Sequence, residues 1–366
     1  MARKRIGRST LSFAGRPVIV ATAAVAGPDE GKGPLGGEFD DVKKDRLLGN
    51  KSWEKAEAQL LTEVITIVMG KANLDQSQVD LLAAGDLLNQ IISADFTARE
   101  FTIPFLGLFG ACSTMAESLI VAAMAVDGGY ADNVVAAASS HFDTAERQFR
   151  YPIEHGTQRH PTTQWTATGA GAALVSSMGR GPVITAATIG AVVDYNQKNI
   201  NDMGAAMAPA AADTIARHLQ GTGRRPEDYD LIVTGDLAAV GLPVAADMLK
   251  EQGLDLGARF GDCGLMLYDH EKQDVHAGGS GCACSALVFC AHIHRLLQRG
   301  QYRRVLLVGT GALFSPTSAQ QGESIPGIAH AVEIEAGEVE AGEVKAGEVK
   351  AEEVKAGEVK AEEGNP

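Results

Sequence analysis

Short runs of aliphatic and β-branched residues alternate with longer, alanine-rich amphipathic runs through the body of the chain. Positions 53–69 and 114–126 have apolar residues at the spacing that is typical of a helix with one buried face. Positions 80–84 and 134–138 are short apolar runs of the kind that forms buried strands. This alternation predicts an α/β sandwich whose strands are largely covered on both faces.

Two sequence motifs occur twice in the chain. One runs from Asp-Leu to Gly-Asp-Leu at 80–87 and again, 150 positions later, at 230–237. The other joins an Ala-Cys-Ser turn to a Gly-x-Tyr step, and its two copies are 172 positions apart, at 111–130 and 283–302. The order strand, Gly-Asp turn, small-residue turn with cysteine, helix, Gly-x-Tyr, strand is therefore repeated. We predict that the chain is a tandem duplication.

The last segment has a different composition from the body. From Ala336 the sequence cycles through Ala-Gly-Glu-Val-Lys, and a five-residue period advances a helix by about 140° per repeat, so the valines form no apolar stripe. We expect a solvated, mostly disordered tail. The predicted organisation is a ragged N-terminus at 1–15, an N-terminal half at 16–195, a C-terminal half at 196–335 and the low-complexity acidic tail at 336–366.

The 366 residues include 42 glycines and carry a net charge of −14. Residues 331–366 hold eleven Glu and four Lys, so half of the charge lies there and the body is only mildly acidic. The absence of a basic, aromatic-interleaved stretch argues against binding of nucleic acid. The longest run without a charged residue or histidine, 161–179, is rich in Thr, Gln, Ser and Gly, so we predict no membrane-spanning segment.

The five cysteines are an odd number and show no disulfide framework, which favours a reducing compartment. The N-terminus imitates a secretion signal, with basic residues at 3–8 and a small-residue site at 24–26. Arg16 and Pro17 interrupt the apolar region between them. We therefore expect a ragged start that leads into a first buried strand, and no signal peptide.

Cys112 and Cys284 lie where small-residue turns lead into helices in the two copies. The positive end of a helix and the unpaired amides of its first turn favour thiolate and bind anions. If both turns face one crevice, Cys112, Ser113, Ser280, Cys282 and Cys284 would surround a dicarboxylate or acyl site built from backbone donors. The alternative for Cys112 is a small, buried, inert thiol.

Polar residues near the ends of predicted strands add further candidates. His141 comes shortly after the strand predicted at 134–138, at the edge where open α/β sheets have their ligand sites. Arg147 and Arg150 lie just beyond it, where they would either contact carboxylates in bidentate fashion or form surface salt bridges. Asp86 and Asp236 occupy the twin Gly-Asp corners, where a carboxylate can bind a ligand, hold a cation or cap the next helix.

We predict no metal site and no cofactor. A possible zinc-ligand set lacks the paired C-x-x-C spacing of zinc knuckles, so core packing is favoured; its members are Cys263, Cys282, Cys284, His292 and His294. The glycine cluster at 278–281 only superficially imitates a phosphate cradle and is interpreted as a turn with close backbone approach.

Long motifs in a fixed order show which family the chain resembles. They cover roughly residues 16 to 335: LAAGDLLNQ at 82–90, FGACST at 109–114, SSH at 139–141, TAERQFRYP at 144–152, DCGLM at 262–266 and GGSGCACSA at 278–286, with shorter matches at 27–36 and 202–214. The chain resembles the stage V sporulation protein AD family, thiolase-like proteins of spore-forming bacteria. Ordered motifs of this length are far more specific than a single glycine pattern.

The resemblance implies a thiolase-like fold, with two tandem βαβαβαββ halves in a layered α-β-α-β-α sandwich. It also implies non-enzymatic binding of dipicolinic acid (pyridine-2,6-dicarboxylate), free or as its calcium chelate, for uptake into the developing spore. The expected partners are a second copy of the chain and other stage V sporulation membrane proteins, which would attach it to the spore inner membrane from the forespore cytoplasm. The candidate ligand-binding residues are Asp86, Asn89, Cys112, Ser113, His141, Arg147, Arg150, Asp236, Ser280, Cys282 and Cys284.

Two alternatives keep the same fold. In an active thiolase or ketoacyl synthase, Cys112 would attack an acyl thioester with help from a second-half His and either an Asn or a second His. Here Gly235 and Asp236 follow the second-half strand where such enzymes have the His, and 280–284 replaces the Asn turn, although His276 is nearby. A carboxylate beside the thiol would raise its pKa, so we expect no enzyme. The other alternative is a scaffold with a vestigial pocket.

Overall fold

A computed structural model describes residues 4–150 and 158–337, so the predicted tail lies outside the described residues except for its first two positions. The strands are β1 Thr10–Ser12, β2 Val18–Ala26, β3 Asp41–Val42, β4 Leu81–Gly85, β5 Phe105–Gly107, β6 Asn133–Ser140, β7 Trp165–Thr166, β8 Gly169–Ser176, β9 Val183–Ile189, β10 Leu231–Thr234, β11 Phe260–Asp262, β12 Gly279–Ser280, β13 Arg304–Ala312 and β14 Gly327–Glu335. The helices are α1 Trp53–Lys71, α2 Ile92–Ala98, α3 Thr114–Asp127, α4 Phe142–Phe149, α5 Met203–Thr222, α6 Ala238–Glu251, α7 Cys263–Leu267, α8 Cys282–Val288, α9 His294–Gln298 and α10 Pro316–Gln320. A π-helical turn, Phe289–Ile293, joins α8 to α9.

The main sheet has the strand order β11-β10-β13-β14-β9-β2-β8-β6-β4-β5. Read from either edge to the centre, each set of five strands follows the same chain order, third, second, fourth, fifth and first. The two sets therefore have the same strand order outward from the centre of the sheet, and they meet where Val18 of β2 pairs with Val183 of β9. This arrangement confirms the predicted tandem duplication. The predicted boundary at 195/196 lies after β9. By its position in the sheet, β9 is the first strand of the second set.

Three layers of helices cover the two halves of the sheet. One outer layer, α1, packs Leu60, Leu61, Val64 and Ile65 against the N-terminal strands. The central layer contains α3 and α8, and the other outer layer contains α5 and α6. Complete burial of a Leu, Ile or Val side chain stabilises the fold by about 1.5–3 kcal/mol. Cores on both faces of each half explain why its strands are continuous apolar runs.

Small residues in β8 let the central helix lie close to the sheet. A Cβ at Gly171 would lie 2.6 Å from the carbonyl oxygen of Ala286 in α8. Ala170 and Ala172 on either side of it are completely buried. The high glycine and alanine content of the body therefore reflects close packing of helix on strand. No helix among the described residues combines the length and the apolar character that crossing a lipid bilayer requires.

A buried carboxyl group joins the two halves. Glu30 has no exposed surface, and it accepts hydrogen bonds from the Tyr268 hydroxyl at 2.5 Å and from the Thr168 amide at 2.9 Å. Burial raises the pKa of Glu30 from 4.5 to about 7. Between these two pH values the folded protein keeps a proton that the unfolded chain loses, so the contribution of Glu30 to stability falls as pH rises from about 4.5 to 7.

We expect Glu30→Gln to remove this component of the pH dependence. The free energy of unfolding of the variant, relative to the original protein, should rise by about 3 kcal/mol between pH 4.5 and pH 8. Urea titrations at several pH values measure the difference, and the exposed carboxyl replaced in Glu227→Gln provides the control. A constant difference across this range would contradict the assignment.

Candidate functional site

A cavity of about 530 Å³ opens where the two halves meet, beside the ends of β4, β6 and β13. Aromatic rings form its apolar wall, and amide and guanidinium groups face them. The aromatic residues are Phe109, Phe149 and Phe314, and the polar side chains include Asn89, Gln148 and Arg150. A volume of this size is typical of sites for small organic ligands.

Cys112 lies in this cavity at the start of α3. It belongs to the 3₁₀ turn Ala111–Ser113, in which Ala111 has a positive φ of 51°. Its Sγ atom is 3.9 Å from Oγ of Ser280, which precedes α8 in the second half. The two cysteine-bearing turns therefore converge on one cavity, as the sequence predicts.

The thiol of Cys112 is held in its neutral form. Burial raises its pKa well above the usual value, and the negative charge of Asp236 raises it further. The effect of Asp236 has the sign expected from the sequence. At neutral pH this group is a thiol and a poor nucleophile.

Asp236 already binds the donors at the start of α8. Its completely buried carboxylate accepts hydrogen bonds from the Thr310 hydroxyl at 2.7 Å, the Ser280 hydroxyl at 2.9 Å and the Gly281 amide at 3.1 Å. Two residues further on, the Ala283 amide donates to Oγ of Ser140 at 3.0 Å. The expectation of free backbone donors is therefore wrong for the Gly281 and Ala283 amides at the start of α8. The Asp236 carboxylate and Oγ of Ser140 already accept hydrogen bonds from them.

Cys282 and Cys284 lie behind the cavity wall. Both side chains are completely buried, and burial raises the pKa of both thiols. The Cys282 thiol donates to the carbonyl oxygen of Ala111 at 3.0 Å and so ties the two turns together. Their position is that of packing residues, with Cys282 adding a hydrogen bond between the halves.

Three other candidates point into the protein. Asp86 accepts the amides of Leu88 and Ala94, each at 2.7 Å, and therefore fastens the start of α2. Ser113 donates to the Gly110 carbonyl oxygen at 2.6 Å. His141 is buried at the start of α4, where one ring nitrogen accepts the Asp143 amide at 3.2 Å and the other lies 2.7 Å from the Arg46 carbonyl oxygen. Burial lowers the pKa of His141 to about 4, so its imidazole is neutral.

The two candidate arginines have different environments. Arg150 lines the cavity and forms an ion pair with Glu146, one helical turn earlier. Arg147 lies outside the cavity, paired with Glu54 and stacked 5.3 Å from the ring centre of Trp53. Of the eleven candidates, the cavity brings together Asn89, Cys112, Arg150 and Ser280. Ligand binding by these four residues stays a prediction.

The candidate residues predicted from the sequence do not include the aromatic wall or the side chains around Arg150. Phe109 precedes Cys112 by three positions and Phe149 directly precedes Arg150, and both lie in the family motifs, but no ligand contact is predicted for either. Phe314 follows β13, the counterpart of the strand before His141. Extending the 172-position repeat past that strand aligns His141 with Leu313, and so points to the loop that contains Phe314.

Known proteins with similar sequences agree with this architecture. The profile of the family described as stage V sporulation protein AD (SpoVAD) matches residues 7–335. A protein of Bacillus subtilis (strain 168) named stage V sporulation protein AD is 50% identical over 333 residues, which are 91% of this chain and 98% of that protein.

Solved structures show the fold. Human mitochondrial 3-ketoacyl-CoA thiolase is 13% identical, with a TM-score of 0.56 and coverage of 89% of this chain and 99% of the other. The 3-oxoacyl-[acyl-carrier-protein] synthase III of Aquifex aeolicus VF5 is also 13% identical, with a TM-score of 0.52 and coverage of 87% and 99%. At this identity the likeness concerns the fold alone, and it confirms the predicted thiolase-like architecture. With the profile match over nearly all of the described body, the chain belongs to the stage V sporulation protein AD family.

Proposed function

We propose that this protein binds dipicolinic acid without chemical conversion and passes it to a membrane channel complex during spore formation. The observation that carries the proposal is the composition of the cavity wall. Among the described residues that line the cavity, Arg150 alone is charged, and the rings of Phe149 and Phe314 line the same cavity. A planar aromatic anion matches this combination of apolar faces and one guanidinium group.

The geometry supports such a ligand in three ways. The ring centres of Phe149 and Phe314 are 6.2 Å apart with planes inclined by 50°, so they form two sides of an apolar corner. The guanidinium of Arg150 can hold one carboxylate in bidentate fashion. The side-chain amides of Asn89 and Gln148 supply neutral donors for the second carboxylate.

Calorimetric titration with dipicolinate, with and without calcium, tests the proposal. We expect one saturable binding event, with weaker binding of pyridine-2-carboxylate because it lacks the second carboxylate. The two calcium conditions identify the bound form. Absence of heat and of any thermal shift at millimolar dipicolinate would refute binding and favour a scaffold with a vestigial pocket.

Acyl transfer is the second candidate function, because Cys112 lies in the cavity at the start of a helix. The raised pKa of its thiol disfavours attack on a thioester. We expect no stable mass increase on Cys112 after incubation with acetyl-CoA, as measured on the digested protein. A hydroxylamine-labile adduct that turns over would establish an acyltransferase. Cys112→Ser provides the matched background.

A second copy of the chain is proposed to pair along β5. Among the described residues this strand ends the sheet and pairs with β4 alone, and the side chain of its Leu106 is 50% exposed. An uncovered edge with apolar side chains favours pairing with another strand. The mass in solution, measured by light scattering, should be that of a homodimer, and Leu106→Glu should shift it towards the monomer. A monomeric original protein would contradict this pairing.

Association with the spore inner membrane is proposed to depend on partner proteins. The stage V sporulation membrane proteins are the expected partners, and the forespore cytoplasm is the expected site of synthesis. Co-purification from sporulating cells, with and without those partners, would test the dependence. Attachment that persists without them would refute it.

A further inference from the structure

Two arginines share one carboxylate beside the cavity. Arg150 pairs with Glu146, and Nη2 of Arg159 is 3.1 Å from Oε1 of the same carboxylate. All three side chains are largely buried, between 15% and 18% exposed. The cluster thus holds two positive charges and one negative charge, and only Arg150 of the three faces the cavity.

Arg159 is held in place by contacts that do not involve Arg150. Its Nη2 donates to the carbonyl oxygen of Gln164 at 2.8 Å. Its guanidinium lies 4.9 Å from the ring centre of Trp165 and 5.2 Å from that of Phe142, and these two rings are stacked 3.9 Å apart. Arg159 is therefore a fixed cation behind the cavity wall.

Arg159 also has unused donors. Its Nε and Nη1 atoms are buried and have no hydrogen-bond partner among the described residues. A buried guanidinium with unmet donors is stabilised when a carboxylate comes closer to it. Glu146 is the carboxylate within reach, and at present it also binds Arg150.

We propose that Glu146 is an internal counter-ion that forms an ion pair with Arg150 while the cavity is empty. When an anion binds Arg150, Glu146 remains paired with Arg159. This inference rests on the proposed function only for the identity of the anion. Glu146 and Arg159 are positioning residues that set how available Arg150 is. A ligand carboxylate then replaces a protein carboxylate, so that Arg150 is paired in both states.

The first measurement needs no ligand. Phenylglyoxal modifies accessible guanidinium groups, and peptide mass spectrometry gives the rate at each arginine. We expect Glu146→Gln to raise the rate at Arg150 several-fold, and Arg159→Met to lower it because Glu146 then pairs with Arg150 alone. Glu54→Gln is the matched control, since it frees Arg147 from its own partner outside the cavity. An unchanged rate at Arg150 in Glu146→Gln would overturn the inference.

The second measurement is calorimetric titration with dipicolinate. Glu146→Gln should tighten binding by about tenfold, since a competing charged contact is removed, and Arg159→Met should weaken it by a similar factor. In the double variant, the loss caused by Arg159→Met should largely disappear because Arg159 acts through Glu146. A loss that persists in full would mean direct contact of Arg159 with the ligand, and would overturn its assigned role. If even the original protein fails to bind while the phenylglyoxal rates change as expected, the proposed function fails and the shared counter-ion stands.

Discussion

Asp236→Ala is expected to lower the free energy of unfolding by about 3–5 kcal/mol, because several buried donors lose their acceptor together. The carboxylate accepts the Gly281 amide and the hydroxyls of Ser280 and Thr310, and none of its surface is exposed to water. Each unpaired buried donor costs about 1–3 kcal/mol. Urea denaturation followed by circular dichroism measures the loss.

Asp236→Asn separates the charge of this residue from its shape. The amide keeps an acceptor oxygen, so we expect a smaller loss of stability, about 1–2 kcal/mol. Removal of the negative charge should also lower the pKa of Cys112, because Asp236 is one of the groups that raise it. Alkylation of Cys112 by iodoacetamide at pH 8 should then be faster than in the original protein. Equal alkylation rates would show that Asp236 has no electrostatic effect on the thiol.

Arg150→Ala should weaken the binding of dipicolinate by about 30- to 100-fold, the usual cost of losing a charge-assisted contact to a carboxylate. In the original protein, added salt should weaken dipicolinate binding, because it partly screens the attraction between Arg150 and the carboxylate. Titration calorimetry at two ionic strengths measures both effects.

Arg147→Ala is the matched control for this substitution. It removes the same charge three positions earlier, in the last turn of α4, but Arg147 pairs with Glu54 and lies outside the cavity. Its affinity should stay within about twofold of the original protein, since only long-range charge changes. Similar losses in both variants would mean that net charge, and not a contact with Arg150, governs binding.

The duplicated architecture could be predicted from the sequence because it depends on backbone order. Strand, turn and helix repeat along the chain, and the sheet repeats the same order in space. The convergence of the Cys112 and Ser280 turns follows from that repeat. These features need only the positions of residues along each element.

The directions of individual side chains could not be predicted in the same way. His141 and Arg150 lie at the two ends of α4, yet His141 is tied into the protein by the Arg46 carbonyl oxygen and Arg150 faces the cavity. The position of Arg159 depends on the stacked rings of Phe142 and Trp165, which lie far apart in the chain. Such contacts between distant segments leave no periodic signal in the sequence.

The mirrored strand order has a consequence for stoichiometry. A perfect duplication would place an equivalent binding position at each helix start, and a dimer would then offer four. At the start of α8, however, the carboxylate of Asp236 accepts the hydrogen bonds of Ser280 and Gly281 that a bound anion would otherwise accept. Each chain should therefore bind a single small anion at saturation, although the strand order of its sheet is repeated.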